Sequence, residues 1–367
     1  MEVIGIICEF NPFHNGHIYF INKIKELYPD SLLILVLNGY FLERGDISIE
    51  SKEEKVKLAL ENNIDIILEL PVLFGTMSAD IFASTSLEIL NNMHITKLVF
   101  GSESNDINIL TNLAKQELNN NFNIKIKEYL DKGYNYPTSL SKALNTNINT
   151  PNDLLGISYI KAILKNNYKI TPITIKRTNN YHDIVSNDNI ISASNIRNKL
   201  NNNINIDKYI PSNSNIININ YDLLFKLIKY KIITDNNLSQ YETVDEGIEN
   251  KLKKEIYKSN NIDELIHNIK SKRYTYNRLK RMLIHILLGI KKNDSNIKLE
   301  YIRLLGFNNK GKLYLHSIKS SIPIITKYRN IDSKIKLYED RASLIYSLIT
   351  NIDTYTYENN NKPIIYK

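Results

Sequence analysis

Two histidines, His14 and His17, frame Asn15 and Gly16 in the run Glu9-Phe10-Asn11-Pro12-Phe13-His14-Asn15-Gly16-His17. The run follows the apolar stretch Val3–Cys8, so an H-x-G-H motif stands where a buried strand turns into a helix. Such a turn presents free backbone amides and a positive dipole end, which suits a triphosphate. Gly16 allows the backbone to approach a nucleotide closely. Two imidazoles one helical turn apart can donate hydrogen bonds to an α-phosphate as charge develops on it, which is the chemistry of nucleotidyl transfer without a covalent intermediate. The bland alternative is a pair of unrelated histidines, or a fragment of a metal site. Metal-bound histidines need further His, Cys or carboxylate partners, and the other histidines are scattered along the chain, so no metal site is expected.

Further along, Ile191-Ser192-Ala193-Ser194-Asn195-Ile196-Arg197 reads as a Ser-rich turn entering a helix with an arginine on its first turn. Ser192, Ser194 and Arg197 could clamp phosphate through hydroxyls, amides and a guanidinium, although Ser-x-Ser before a helix is also an ordinary N-cap. Gly101 ends an apolar run, at the edge where doubly wound folds bind nucleotides. Asn152 follows Pro151, and either caps a helix or touches a ligand. Arg177 ends another run, and either pairs with phosphate or is a solvated surface charge. Arg44, beside Gly45, is equally ambiguous. Cys8, the single cysteine, is read as a packing residue rather than an acyl-carrying thiol. It excludes a disulfide framework and a thiolate zinc site.

The elements that must position these residues alternate. The pattern predicts strands at Val3–Cys8, Leu32–Leu37, Ile64–Leu70 and Lys97–Phe100. Helical spacing falls between them at Ile18–Leu27, Glu53–Leu60 and Thr85–Leu90. That alternation predicts an α/β fold, a doubly wound parallel sheet of Rossmann-like type. Lys169–Ile175 and the region before Ile191 are candidates to extend the sheet. The Asn-, Ile- and Ser-rich stretch 201–220 reads as a junction crossed by few contacts. It separates a domain over 1–200 from a mainly α-helical basic domain over 221–367.

The charge divides along the same line. Residues 1–220 carry 20 basic and 23 acidic side chains, a net −3, whereas 221–367 carry 27 and 16, a net +11. A basic module that holds a polyanion beside a near-neutral module doing other work explains this better than base composition alone. Within it Leu279, Met282, Leu283, Ile286 and Leu287 form an apolar helical stripe. Arg278 and Arg281 share the opposite face, with Lys272 and Arg273 just before the helix, as candidate contacts to RNA phosphates. The N-terminus lacks the pattern of a signal peptide, and no apolar run approaches the length of a bilayer span. A soluble, cytoplasmic protein with no membrane partner is expected; nothing fixes its oligomeric state.

The paired H-x-G-H and Ile191–Arg197 segments match the H-x-G-H / I-S-S-T-x-x-R pattern of the nucleotidylyltransferase superfamily, with Ala193 and Ser194 replacing the usual Ser and Thr. Gly5–His17, Asn38–Gly45, Asp65–Pro71, Ser78–Asp80, Phe100–Glu103, Pro151–Lys161, Ile173–Arg177 and Tyr181–Asp183 follow in order. With Lys272–Arg278 and Tyr301–Phe307 they make nearly the whole chain similar to the bacterial tRNA(Met) cytidine acetate ligase family. That resemblance implies that ATP and acetate form acetyl-adenylate, and that the acetyl group passes to the exocyclic amine of the wobble cytidine in elongator methionine tRNA. It implies ATP contacts at Ile7, Cys8, Glu9, Phe10, Asn11, Pro12, Phe13, His14, Asn15, Gly16, His17, Ile18, Tyr19, Phe20, Gly101, Asn152 and Arg177, with His14 and His17 catalytic. Mg²⁺ is expected with the triphosphate. Cys8 departs from a usual small residue, Glu43 from Gln and Asp46 from Glu. The acyl group and the tRNA identity rest on the resemblance alone. The alternatives are a small-molecule nucleotidyltransferase, which would leave the basic part without a purpose, and a non-catalytic RNA-binding protein, against which the intact histidines argue.

Overall fold

A computed structural model describes residues 1–144, 150–177 and 189–367. Five strands form its parallel half: β1 Val3–Cys8, β2 Leu32–Asn38, β3 Ile66–Leu70, β4 Lys97–Ser102 and β5 Thr171–Lys176. They lie in the order β5-β4-β1-β2-β3. Leu32–Asn38 is buried along its whole length, the signature of a parallel strand covered on both faces. Alternate residues serve the two sides: Leu32, Ile34 and Val36 enter one apolar cluster, while Leu33, Leu35 and Leu37 enter the other. The strand order reverses between β1 and β4. A crevice therefore opens at their carboxyl ends, where doubly wound sheets bind nucleotides.

The sheet does not stop at β3. β6 Ile302–Asn308 pairs antiparallel with β3, and β7 Ile324–Ile325 and β8 Ile364–Tyr366 pair parallel with β6. The helical pattern beyond Tyr221 gave no hint of these strands, because β7 and β8 are very short and Arg303 interrupts the apolar run of β6. Arg303 reaches a buried ionic cluster. It pairs with Glu358 and, at 3.5 Å, with Glu69 on β3. Lys52 pairs with Glu69, with Glu339 at 3.4 Å and with Glu358 at 3.0 Å. All five side chains are at most 9 % exposed, and the Arg303 guanidinium lies 3.9 Å from the Tyr328 ring centroid. Five segments distant in sequence are thus locked together.

The stretch 201–220 makes more contacts with the sheet half than a bare linker would. The Asn15 amide donates to the Tyr209 carbonyl at 2.9 Å, and Ile217 donates to Ile49 at 2.8 Å. Ile206, Tyr209 and Ile210 form a small apolar cluster with Ile191 and Ile196. The isoleucines supply the reason: among the asparagines they still bury. Of the region before Ile191 expected to be a strand, Asn189 and Ile190 are not strand; the rest lies outside the described residues, as does the Tyr181–Asp183 motif.

Candidate active site

β1 ends at Cys8, and the chain turns through Phe10 in the left-handed region (φ 49°) and a cis Asn11–Pro12 bond into the helix Asn15–Leu27. The two histidines make the cap of that helix. His14 Nδ1 accepts from the Gly16 amide at 2.9 Å, and His17 Nδ1 accepts from the His14 amide at 3.2 Å, a reciprocal capping box built from imidazoles. A neutral ring that accepts at Nδ1 carries its proton on Nε2. Both rings therefore keep an Nε2–H donor that the cap does not use. Their centroids are 3.9 Å apart, and the Phe10 and Phe13 rings support His17 at 4.7 and 5.6 Å. Phe10 and Phe13 themselves are buried. Gly16 is required for a reason the motif did not reveal: a Cβ there would stand 2.6 Å from His14 Cε1, so the glycine makes room for the capping ring.

Burial, then the charges of Arg177 and Arg197, push the His14 pKa down to about 3; burial and the neighbouring His14 hold His17 well below the usual histidine range. Both arginines therefore stand within electrostatic reach of the pair. Arg177 follows β5, its amide donating to the Ser102 carbonyl at 3.0 Å beside Gly101. Glu103, 4.0 Å from Arg177, also accepts from the Asn152 side chain. Asn152 is not the helix cap: Thr150 occupies that position, and Asn152 lies in the first turn of Pro151–Lys165. Arg177, Glu103 and Asn152 therefore form one rim of the crevice. On the other side Ser192 is an N-cap, accepting from the Asn195 amide at 3.3 Å with the Ser194 hydroxyl 3.0 Å away. Arg197 donates to the Asn11 carbonyl at 2.6 Å and pairs with Asp46 at 3.3 Å.

Burial alone accounts for most of the acid behaviour expected here. His285 is also buried, its Nε2 2.9 Å from the Thr76 carbonyl, and burial pushes its pKa down to about 4. Unfolding returns His14, His17 and His285 to about 6.5, so between pH 6.5 and about 4 the unfolded chain binds more protons than the folded one. Stability contributed by these groups is complete above pH 6.5 and falls as the pH drops, with a slope approaching about 1.4 kcal/mol per pH unit for each histidine. Chemical denaturation from pH 7.5 to 4.5 should show this loss, and His285→Gln should reduce its slope. An identical slope in that variant would place the acid sensitivity elsewhere.

A second set of residues holds the turn from behind, and no motif announced it. The buried Lys55 ammonium donates to the carbonyls of Glu9 at 3.0 Å, Asn38 at 2.7 Å and Gly39 at 2.7 Å. Glu50 accepts from the Phe13 amide at 2.7 Å, and Glu9 accepts from the Glu43 amide at 2.7 Å and the Asn38 side chain at 2.9 Å. Burial raises the pKa of Glu50 to about 8 and that of Glu9, and lowers that of Lys55 to about 7. Apolar helical spacing around Lys55 hides it, since a helical lysine normally faces water. Lys55→Met should leave three carbonyls without their donor, costing about 1–3 kcal/mol in stability and, by loosening the turn, roughly 10²-fold in adenylate formation. Denaturation and pyrophosphate exchange on the same preparation check it; a fully active variant would remove Lys55 from the support of the site.

Cys8 is half-buried, and burial followed by the Glu9 charge pushes its thiol up to about 12, leaving no thiolate for acyl transfer. In the basic part, Arg281 pairs with Glu43 and donates to its carbonyl at 3.2 Å, and Lys280 pairs with Asp46. Glu43 is thus neutralised by Arg281. Gly45, at φ 75°, lies where a Cβ would be 2.5 Å from the Arg281 amide, so the loop presses on the helix Tyr276–Leu288. Arg278 pairs with Asp245 at 3.2 Å and Arg273 with Glu246 at 3.3 Å. Among the described residues no group of three or more His, Cys, Asp or Glu could hold a metal ion, and no helix is long and apolar enough to cross a membrane.

A crevice at a strand-order reversal, entered by an H-x-G-H helix cap and flanked by arginines, defines the class: the chain belongs to the HIGH Nucleotidyl Transferase family, whose model matches residues 1–362. Within that class it is a member of the tRNA(Met) cytidine acetate ligase family. It is 36 % identical to the ligase of that name from Caldicellulosiruptor saccharolyticus, over 95 % of this chain and 94 % of the relative. To the one from Clostridium novyi it is 38 % identical over the whole of both. A crystal structure of Thermotoga maritima TmcAL bound with alpha-thio ATP superposes with a TM-score of 0.87 at 27 % identity, covering 100 % of this chain and 99 % of that one.

Proposed function

We propose that this chain activates acetate with ATP and transfers the acetyl group to the exocyclic amine of the wobble cytidine of elongator methionine tRNA. A carboxylate oxygen of acetate attacks the α-phosphorus and pyrophosphate leaves, giving acetyl-adenylate. The cytidine amine then attacks the acetyl carbon, AMP leaves, and the amine loses a proton. The observation that carries the reading is the imidazole capping box, which fixes two neutral Nε2–H donors at the mouth of the crevice. Neutral donors strengthen their bonds as charge grows on the α-phosphate oxygens and need no reorganisation. His14 and His17 take that role. Amides of the turn Ile7–Phe20, with Gly101, Asn152 and Arg177, hold the nucleotide. Arg197 sets the field on His14, and Ser192 and Ser194 shape the helix end beside it.

Mg²⁺ would accompany the triphosphate in this reading and neutralise part of its charge. Residues 1–200 perform the activation, and residues 221–367 hold the tRNA in the cytoplasm. Lys272, Arg273 and Arg278 face the RNA, while Arg281 keeps the Glu43–Gly45 loop seated. Two measurements test the whole. Acetate should support ATP–pyrophosphate exchange without tRNA, and nucleosides from the methionine tRNA of a strain lacking the protein should lose acetylcytidine. Exchange with another small acid and not acetate, or unchanged acetylcytidine in that strain, overturns the assignment.

A further inference from the structure

A groove of about 610 Å³ lies away from the histidines, between the turn Lys132–Asn135 and the turn Lys270–Tyr276. We propose that it receives an unpaired stretch of the RNA substrate, a refinement that rests on the function proposed above. Its lining holds Lys132, Lys270 and Lys272 and the tyrosines Tyr134, Tyr274 and Tyr276, and includes no Asp or Glu. None of the three lysines forms an ion pair among the described residues, unlike Arg273, Arg278 and Arg281 nearby. Tyr134 and Tyr276 are 41 % and 39 % exposed, with Lys142 and Lys280 at 5.1 and 5.7 Å from their ring centroids. Tyr274 is buried and donates to the Asp245 carbonyl at 2.7 Å, so it forms the floor.

Unpaired positive charge interleaved with exposed aromatic rings is the recognition chemistry of single strands: lysines follow the phosphates and bases stack on the rings. A duplex keeps its bases stacked and offers mainly backbone, which would leave the tyrosines idle. The groove is also tied to the active site on both sides. One wall belongs to the chain between Gly101 and Asn152. The other precedes the helix Tyr276–Leu288, whose Lys280 and Arg281 hold Asp46 and Glu43 beside Glu9. RNA held there is therefore positioned by the same elements that carry the nucleotide turn.

The test uses the full chain with Lys132→Ala/Lys270→Ala, Tyr134→Ala and Tyr134→Phe. Filter binding at several salt concentrations would use methionine tRNA, an unpaired oligonucleotide of its anticodon-loop sequence and a paired RNA stem, with inorganic polyphosphate as competitor. Loss of two lysines should weaken the tRNA and the unpaired oligonucleotide and lower the salt slope by up to about 1.4, at about 0.7 per contact on a single strand. Tyr134→Ala should weaken both by about 5- to 150-fold with the slope unchanged, Tyr134→Phe should bind normally, and the stem should be indifferent to all three. Acetate-dependent pyrophosphate exchange should stay at the parent level, which also certifies folding. Unchanged RNA binding in the variants overturns the groove alone. Polyphosphate displacing RNA together with indifference to Tyr134→Ala makes it a plain anion patch and also overturns it. A parent protein that binds no tRNA overturns the underlying reading instead.

Discussion

His14→Ala and His17→Ala should each lower acetate-dependent adenylate formation by about 10²–10³-fold, the usual loss for one preorganised donor in a transition state. Each ring does two things. Its Nδ1 satisfies a backbone amide of the helix cap, and its Nε2–H is left over by the cap as the proposed donor to the α-phosphate. Alanine removes both, so a stability loss of about 1 kcal/mol should accompany the rate effect. The two are separable: ATP–pyrophosphate exchange at a temperature well below the unfolding transition reports the donor, while denaturation reports the cap. Affinity for tRNA should change little, because the basic side chains lie on other elements. Near-normal exchange in either alanine variant would mean that the imidazoles only cap the helix and that the α-phosphate is stabilised by other groups.

The second large effect concerns stability rather than catalysis. Arg303→Met should destabilise the fold by about 3–5 kcal/mol, since removing one partner of a buried ion pair strands the others. Arg303 and Lys52 together face Glu69, Glu339 and Glu358, two positive groups against three carboxylates. The Arg303 and Lys52 charges hold Glu358 down to about 2, whereas burial and the Glu69 charge push Glu339 up to about 8. The same burial and like charge favour a proton on Glu339, which eases the excess of carboxylates in the cluster. Without Arg303 that excess grows, and β6 loses its tie to Glu69 on β3. Denaturation of Arg303→Met, of Glu358→Gln and of the double variant would measure it. The double variant should be less destabilised than the two single effects combined. Strict additivity, or a loss below 1 kcal/mol in Arg303→Met, would show that the cluster is solvated and contributes little.

The parallel half of the fold and the position of the histidines were legible in the sequence, because the signals are local. Leu32–Leu37 is apolar throughout, as only a doubly covered strand needs to be, and His14 and His17 adjoin a strand end within one turn. Of the residues the motif pointed to, Arg197 bonds the Asn11 carbonyl of the turn, and the charges of Arg177 and Arg197 act on His14. The tertiary contacts add reasons that the motif did not hold. Gly16 clears space for the His14 ring, Asn152 bonds Glu103 rather than capping its helix, and Arg281 is committed to Glu43.

What the tertiary structure alone decided are the contacts between residues far apart in sequence. Lys55 resembles any helical lysine until the ends of β1 and β2 bring three carbonyls to its ammonium. The strands β6 to β8 carry too little local periodicity to be read, yet pairing with β3 and the ionic cluster makes them part of the sheet. Lys132 and Lys272 come to share a groove only when two turns meet. Local periodicity records which face of an element is buried; it holds no record of which distant charge or carbonyl will be waiting there, because that is fixed by the packing of elements whose order in space differs from their order in the chain.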